Sequence, residues 1–358
     1  MKTTDLLASL PARSRVLFVR LRSLGDTILS TPLYKALKTW RPDIEISVLV
    51  EPPNDEVLRN NPDINDVICL RQRGNSRFAG LLVKSDVIKR IRRVSFDCCI
   101  NLHGGSTSAW FTLLSGARHR VGLRDFHNAF AYNHRIDVPA RNLGGARKHT
   151  VEYQMDWLRS LGLPPSEIPP LRVVPDPALR VSVQSQLTAR GLNPEARYCV
   201  IQPTSKFYTK EWTAQGFAEA ADYVRVKHGL QTVLTGGPGE NEKLRQVASR
   251  CESPVVMIQS MQIRELAWVI QGAKLFIGND SGPTHLAAAL GVPTVVLFGS
   301  SDSQVWRPWQ ARFQLVQNPF ECNPCPGYRC LQYDEPKCIL SISSAQVKTA
   351  VDTVLASP

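Results

Sequence analysis

Leu275–Phe298 reads LFIGNDSGPTHLAAALGVPTVVLF. An apolar run, Leu275–Gly278, ends at Asn279-Asp280-Ser281. Aspartate and serine are N-cap residue types, and Pro283 suits the first turn of a helix. Ala287–Ala289 are small enough to let the helix Pro283–Leu290 pack close to a sheet. Thr294–Phe298 is then a second strand. Strand, helix and strand in this order imply parallel strands joined by a crossover helix.

The same alternation runs through the rest of the chain. Arg15–Arg20 reads as a strand and Thr27–Trp40 as a helix, with Ile28, Leu29, Leu33, Ala36 and Leu37 at helical spacing. Strands follow at Ile44–Val50 and Asp66–Leu70, a helix at Phe78–Val94, a strand at Asp97–Leu102 and a helix at Lys148–Leu161. Leu163–Pro177 contains six prolines. Proline fixes φ and donates no backbone hydrogen bond, so this stretch reads as an interdomain linker. Beyond it come strands at Tyr198–Gln202, Gln231–Thr235, Val255–Ile258, Leu275–Gly278 and Thr294–Phe298. The helices between them are Thr213–Lys227, Glu240–Arg250, Ile263–Gln271 and Pro283–Leu290. The pattern predicts two α/β halves, residues 1–170 and 171–358. The last helix, 343–356, is free to pack on its own half or back on the first. Ligands of open α/β sheets bind beyond the carboxyl ends of the strands, and two such sheets facing each other would form a cleft.

Composition narrows the function classes. Hydrophobic residues make up 43% and charged residues 21%, which is ordinary for folded domains and too apolar for disorder. No run of about 18 apolar residues suggests a membrane span. Met1–Arg15 lacks the pattern of a signal peptide, so the expected compartment is the cytoplasm. The net charge of +12 favours anionic partners. Its basic clusters, Lys89–Arg93, Arg118–Arg124 and Arg141–Lys148, are short, and no nucleic-acid motif accompanies them.

Four turns at strand ends carry the chemistry. In Arg20-Leu21-Arg22-Ser23-Leu24-Gly25-Asp26-Thr27, Gly25 permits a tight turn or a close backbone approach. Asp26 is either a first-turn acid that complements the helix dipole or a general base for an acceptor hydroxyl. Pro203-Thr204-Ser205-Lys206, followed by Lys210-Glu211-Trp212, is either an ordinary basic loop or a phosphate site, for which lysine is a compact point charge. Thr235-Gly236-Gly237-Pro238-Gly239-Glu240 lacks the spacing of a dinucleotide or P-loop motif. There Glu240 is either a helix N-terminal acid or a ribose contact. Ser281, Gly282 and Thr284 open a helix whose N–H groups and hydroxyls suit a diphosphate, with His285 as a core histidine or a ligand contact. No D-x-D pair is present to hold a metal on a sugar nucleotide. Cys322, Cys325, Cys330 and Cys338 fall within 17 residues. In a cytosolic chain they suggest a structural metal, with disulfides or free thiols as the alternatives.

RLRSLGDTILSTPLYKALK, NLHGGSTSAW, KEW, TGGPGE and NDSGPTHLAAALGVPTVVLFG together resemble glycosyltransferase family 9, the ADP-heptose:lipopolysaccharide heptosyltransferases. The likeness spans nearly the whole chain, and the opening looks most like the third-heptose branch. It implies the GT-B fold, two facing Rossmann-like domains, and an inverting transfer that requires no metal cofactor. It implies that the second half binds an ADP-heptose donor and the first a lipid A–core oligosaccharide acceptor. Asp26 then matches the general base and Lys210 the phosphate-neutralising lysine. Glu240 matches the nucleoside contact, and Asp280, with Gly282 and His285 in its loop, the acid beside the donor sugar. Thr204 matches a phosphate-contacting hydroxyl, and Ser205, Lys206, Ser281 and Thr284 fall beside these. Gly25, His103, Gly104 and Gly105 lie on the acceptor side. The expected location is cytoplasmic and peripheral, on the anionic inner face of the inner membrane, with no nucleic-acid partner. The alternatives are another nucleotide-sugar donor, a protein acceptor, or a non-catalytic sugar-nucleotide binder.

Overall fold

In a computed structural model of the chain, residues 5–71, 77–138, 142–143, 146–193, 195–325 and 327–356 are described. The chain divides into two units, Met1–Val174 and Pro175–Pro358. The first holds β1 (Arg15–Val19), β2 (Glu45–Val50), β3 (Asp66–Cys69), β4 (Cys98–Asn101), β5 (His119–Leu123) and β6 (His134–Ile136). A two-residue antiparallel ladder follows, β7 (Asn142–Leu143) with β8 (Ala146–Arg147). The second holds β9 (Tyr198–Gln202), β10 (Gln231–Gly236), β11 (Val255–Gln259), β12 (Leu275–Asn279), β13 (Thr294–Leu297) and β14 (Phe313–Val316). The basic cluster expected at Arg141–Lys148 lies partly outside the described residues.

The two sheets have the same topology. Their spatial orders are β3-β2-β1-β4-β5-β6 and β11-β10-β9-β12-β13-β14, and every pairing within them is parallel. Central strands such as β9 and β13 are buried throughout, as expected where helices cover both faces of a parallel sheet. In the first unit Leu17, Val19, Leu49 and Cys99 pack against Val87, Ile91 and Phe111. In the second, Ile201, Leu234, Ile277 and Leu297 pack against Phe217, Ala221, Val347 and Val351. In each sheet the strand order reverses between the first and fourth strands. The loops leaving those two strands therefore diverge and open a crevice, the usual ligand position of this topology.

Several elements depart from the sequence expectation. The helix expected over Thr27–Trp40 is two helices, Leu24–Leu29 and Thr31–Trp40. Pro32 sits in the first turn of the second, where its missing N–H costs nothing but ends the helix before it. Gly25 consequently lies inside the first turn, at negative φ, rather than in a tight turn. The helices Ser106–Leu114 and Arg180–Ala189, and strands β5, β6 and β14, were not anticipated. Leu163–Asp176 carries no helix or strand; Arg172 N–H donates to Thr31 Oγ1 at 3.0 Å within the first unit.

The last helix, Ser344–Ala356, packs on the second unit. Val347, Val351 and Val354 are buried in that core, and Arg312 Nε donates to the Val354 carbonyl at 2.8 Å. No helix among the described residues is long and apolar enough to cross a membrane. Val351→Ala should cost about 2 kcal/mol, by lost burial and an unfilled cavity. Urea unfolding checks this, and an unchanged midpoint would contradict the packing described.

Candidate active site

At the second switch point, β9 ends on Gln202 and β12 on Asn279, both buried. Asn279 is fully enclosed. Its Oδ1 accepts from the Trp212 N–H at 3.1 Å, and its Nδ2 donates to the Pro203 carbonyl at 2.9 Å. One amide thus ties both ends of the Pro203–Trp212 loop to the neighbouring strand. Within that loop the turn Tyr208–Lys210 presents Lys210. Its Nζ lies 2.7 Å from Asp280 Oδ2, with side-chain exposures of 20% and 6%. A largely buried ammonium requires a partner, and Asp280 supplies it.

The helix Gly282–Ala289 begins immediately after this aspartate, with Ser281 as N-cap. Ser281 Oγ is enclosed and has no hydrogen-bond partner among the described residues. Thr284 Oγ1 donates to the Asn279 carbonyl at 2.6 Å, and His285 is buried in the same turn. The structure therefore gathers Lys210, Asp280, Ser281, Gly282, Thr284 and His285 around one helix N-terminus, an arrangement suited to an anion.

A second set of bonds fixes the neighbouring wall. Thr235 Oγ1 donates to Gln202 Oε1 (2.7 Å), Gln202 Nε2 to Thr204 Oγ1 (2.6 Å), and Thr204 Oγ1 to Glu240 Oε2 (2.6 Å). The Gly237 N–H donates to the same Glu240 oxygen at 2.6 Å. Glu240 is thus oriented from one side, leaving Oε1 for a further donor such as a hydroxyl. Ser205 contributes its N–H to Glu211 Oε1 at 2.9 Å. Lys206 is exposed and lies over the Phe207 ring at 5.7 Å, with Lys210 6.0 Å from the same ring.

At the first switch point, β1 leads into Arg20 and the helix Leu24–Leu29, and β4 ends on Asn101. Asn101, also fully buried, repeats the role of Asn279. Its Oδ1 accepts from the N–H groups of His103 (2.9 Å) and Gly104 (3.1 Å), while Nδ2 donates to Ser108 Oγ and Tyr132 OH. Gly104 has a φ of 75°, and a Cβ there would meet the Phe126 ring at 2.4 Å, so only glycine fits. Gly105 caps the helix Ser106–Leu114. Asp26 Oδ2 accepts from the Ser23 N–H at 3.3 Å and from Ser23 Oγ at 3.0 Å, and Oδ1 lies 3.8 Å from Arg20 Nη1. Burial pushes the His103 imidazole pKa down from its ordinary 6.5, and the Arg20 and Arg22 cations push it further, against a smaller opposing pull from Asp26. His103 is therefore neutral at pH 7. The sequence reading gave no role to Arg20, Asn101, Gln202 or Asn279; their one signal is a polar residue at the end of an apolar strand.

The cysteine segment corrects an expectation. Cys322, Cys325, Cys330 and Cys338 are free thiols. Among the described residues no group of three or more ligating side chains is placed to hold a metal ion. The four line one cavity beside Thr209 and Ser300, because the segment's backbone is committed elsewhere. The N–H groups of Cys325 and Cys330 donate to the Ser300 carbonyl and to Tyr208 OH, each at 3.0 Å, while Thr209 Oγ1 donates to the Gly327 carbonyl. The segment clasps the turn that carries Lys210.

Two parallel sheets with this strand order, each with polar side chains gathered at its switch point, are the architecture of GT-B glycosyltransferases. The model of glycosyltransferase family 9 (heptosyltransferase) matches residues 85–334, and the chain belongs to that family. It is 29% identical over 349 residues to a lipopolysaccharide heptosyltransferase 3 of Escherichia coli, covering 94% of this chain and 98% of that protein. Its fold is similar to that of a family 9 glycosyl transferase from Veillonella parvula (TM-score 0.82, 24% identity, 99% and 98% of the two chains). It is also similar to that of the E. coli ADP-heptose lipopolysaccharide heptosyltransferase II (TM-score 0.78, 18% identity, 95% and 98%).

Two outcomes are expected of this geometry. Asn279→Ala should unfasten the Pro203–Trp212 loop, read as faster amide hydrogen exchange across residues 203–212; unchanged exchange would remove Asn279 from the support of the loop. The His103 ring should titrate below pH 6.5 by NMR, and a midpoint above that value would contradict its placement beside two arginines.

Proposed function

We infer that this glycosyltransferase moves a heptose from ADP-heptose to the inner core of lipopolysaccharide, by an inverting displacement that requires no metal cofactor. The observation that carries the reading is the second switch point. There a lysine paired with an aspartate stands at a helix N-terminus beside an unpartnered serine hydroxyl. Family membership supports the heptosyl chemistry, and the names of the relatives support the donor and the acceptor.

In this reading the second unit binds donor. Lys210 turns from Asp280 to the departing diphosphate, and the N–H groups at Ser281–Thr284 share its charge. Asp280 and His285 contact the donor sugar, and Glu240 accepts hydrogen bonds from ribose hydroxyls. Thr204, Ser205 and Lys206 flank the phosphates. The first unit binds acceptor through the Gly25–Asp26 and His103–Gly105 turns. Asp26 removes the proton of the acceptor hydroxyl, whose oxygen attacks the anomeric carbon as the bond to the diphosphate breaks. One displacement inverts the configuration. The net charge of +12 would hold the protein at the anionic inner face of the inner membrane.

Asp26→Asn should retain ADP affinity and lose turnover by about 10²–10⁴-fold, the usual contribution of a general base. Near-normal turnover would sink its assignment. Titration with ADP, UDP and GDP in EDTA should give selective ADP binding, weakened at least tenfold by Lys210→Met. A preference for UDP or GDP would remove ADP-heptose as the donor.

A further inference from the structure

Arg20 is 8% exposed, and part of its guanidinium is cut off from both water and protein partners. Nε is enclosed with no hydrogen-bond partner among the described residues, and Nη1 lies 3.8 Å from Asp26 Oδ1. That separation exceeds a hydrogen bond but not the range of a strong charge interaction. A buried cation with unmade hydrogen bonds is costly, and packing alone does not select one. The surrounding groups leave Asp26 as its counter-charge. Tyr34 is a fully buried phenol whose proton burial holds firmly. His103 is neutral. Arg22 is exposed and turned to Glu51, at 3.1 Å.

We propose that Arg20 is the positioning residue of the catalytic carboxylate, holding Asp26 oriented so that Oδ1 receives the acceptor proton. The proposal rests on the reading of Asp26 as base. The two carboxylate oxygens are not equivalent. Oδ2 is occupied by the N–H and hydroxyl of Ser23. Oδ1 is held by charge alone, so its lone pairs remain open. The acceptor O–H bond breaks toward Oδ1 and its electron pair forms the new bond to the anomeric carbon. The electron pair of the old bond departs with the diphosphate.

The test compares wild type with Arg20→Gln, which removes the charge at similar volume, Arg20→Met and Arg20→Lys. ADP affinity and far-UV circular dichroism show whether each variant is folded. In Arg20→Gln and Arg20→Met kcat should fall at least tenfold while acceptor KM and ADP affinity stay close to wild type. Arg20→Lys should restore most of the lost turnover. Unchanged kcat, or a raised acceptor KM with kcat unchanged, would overturn the proposal in favour of acceptor binding. Full turnover in Asp26→Asn would instead sink the underlying reading. An inactive Asp26→Asn with unchanged kcat in Arg20→Gln removes Arg20 alone.

Discussion

A crevice at the end of a parallel sheet has to be kept open, and here two buried asparagine amides do so. The loops leaving the first and fourth strands diverge, and their backbone groups need partners that do not fill the gap. Asn279 satisfies one N–H and one carbonyl of the Pro203–Trp212 loop from the strand beside it. Asn101 satisfies two N–H groups of the His103–Gly104 turn in the other unit. An aliphatic residue at either position would leave those groups buried without partners, at about 1–3 kcal/mol each. The functional side chains inherit their positions from these amides. Lys210 lies two residues before the anchored Trp212 N–H, and Asp280 follows Asn279 directly.

The Lys210–Asp280 pair is better understood as readiness than as stability. Desolvating both charges offsets most of their attraction, so such a pair adds little to folding, while removal of one partner leaves an uncompensated charge. Under the proposed function a phosphate would take over the lysine without leaving it bare, and the aspartate would then be free to accept a hydroxyl hydrogen bond. The cysteine segment acts on the same turn from behind. Bonds from Thr209 to Gly327 and from Cys325 to Ser300 restrict where Lys210 can move.

Much of this was legible in the sequence. Leu275–Phe298 showed a βαβ unit because strand and helix periods change abruptly around Asp280-Ser281. The helix Ser106–Leu114 was hidden by its context: it follows two glycines, and STSAWFTLL has no polar face to reveal a 3.6-residue period. The four residues of β14 are too few for a pattern. Pro32 was a readable signal for the break at Ser30, overridden by the run of apolar positions across it. The cysteines misled because spacing along the chain does not specify where thiols converge; the hydrogen bonds of the intervening backbone decide that. Asn101 and Asn279 were invisible in kind. Their importance lies in the loops they reach, and a single sequence does not contain that distance.

The two halves solve one problem with opposite charges. In the first a carboxylate is backed by a guanidinium, and in the second an ammonium is backed by a carboxylate. The separations differ in a way the chemistry explains. At 2.7 Å the lysine is engaged by a direct hydrogen bond, which suits a group that waits for a ligand and then exchanges partners. At 3.8 Å the arginine influences the aspartate through charge while leaving one oxygen unoccupied. In the proposed role of Asp26 as base that oxygen has to stay open, because a lone pair already filled by a donor cannot receive a proton. The proposed phosphate-binding role of Lys210 carries no such requirement, since its three N–H groups can turn from one acceptor to another. The repeated fold thus supplies the same scaffold twice, and the distance to the supporting charge is what distinguishes the two proposed roles.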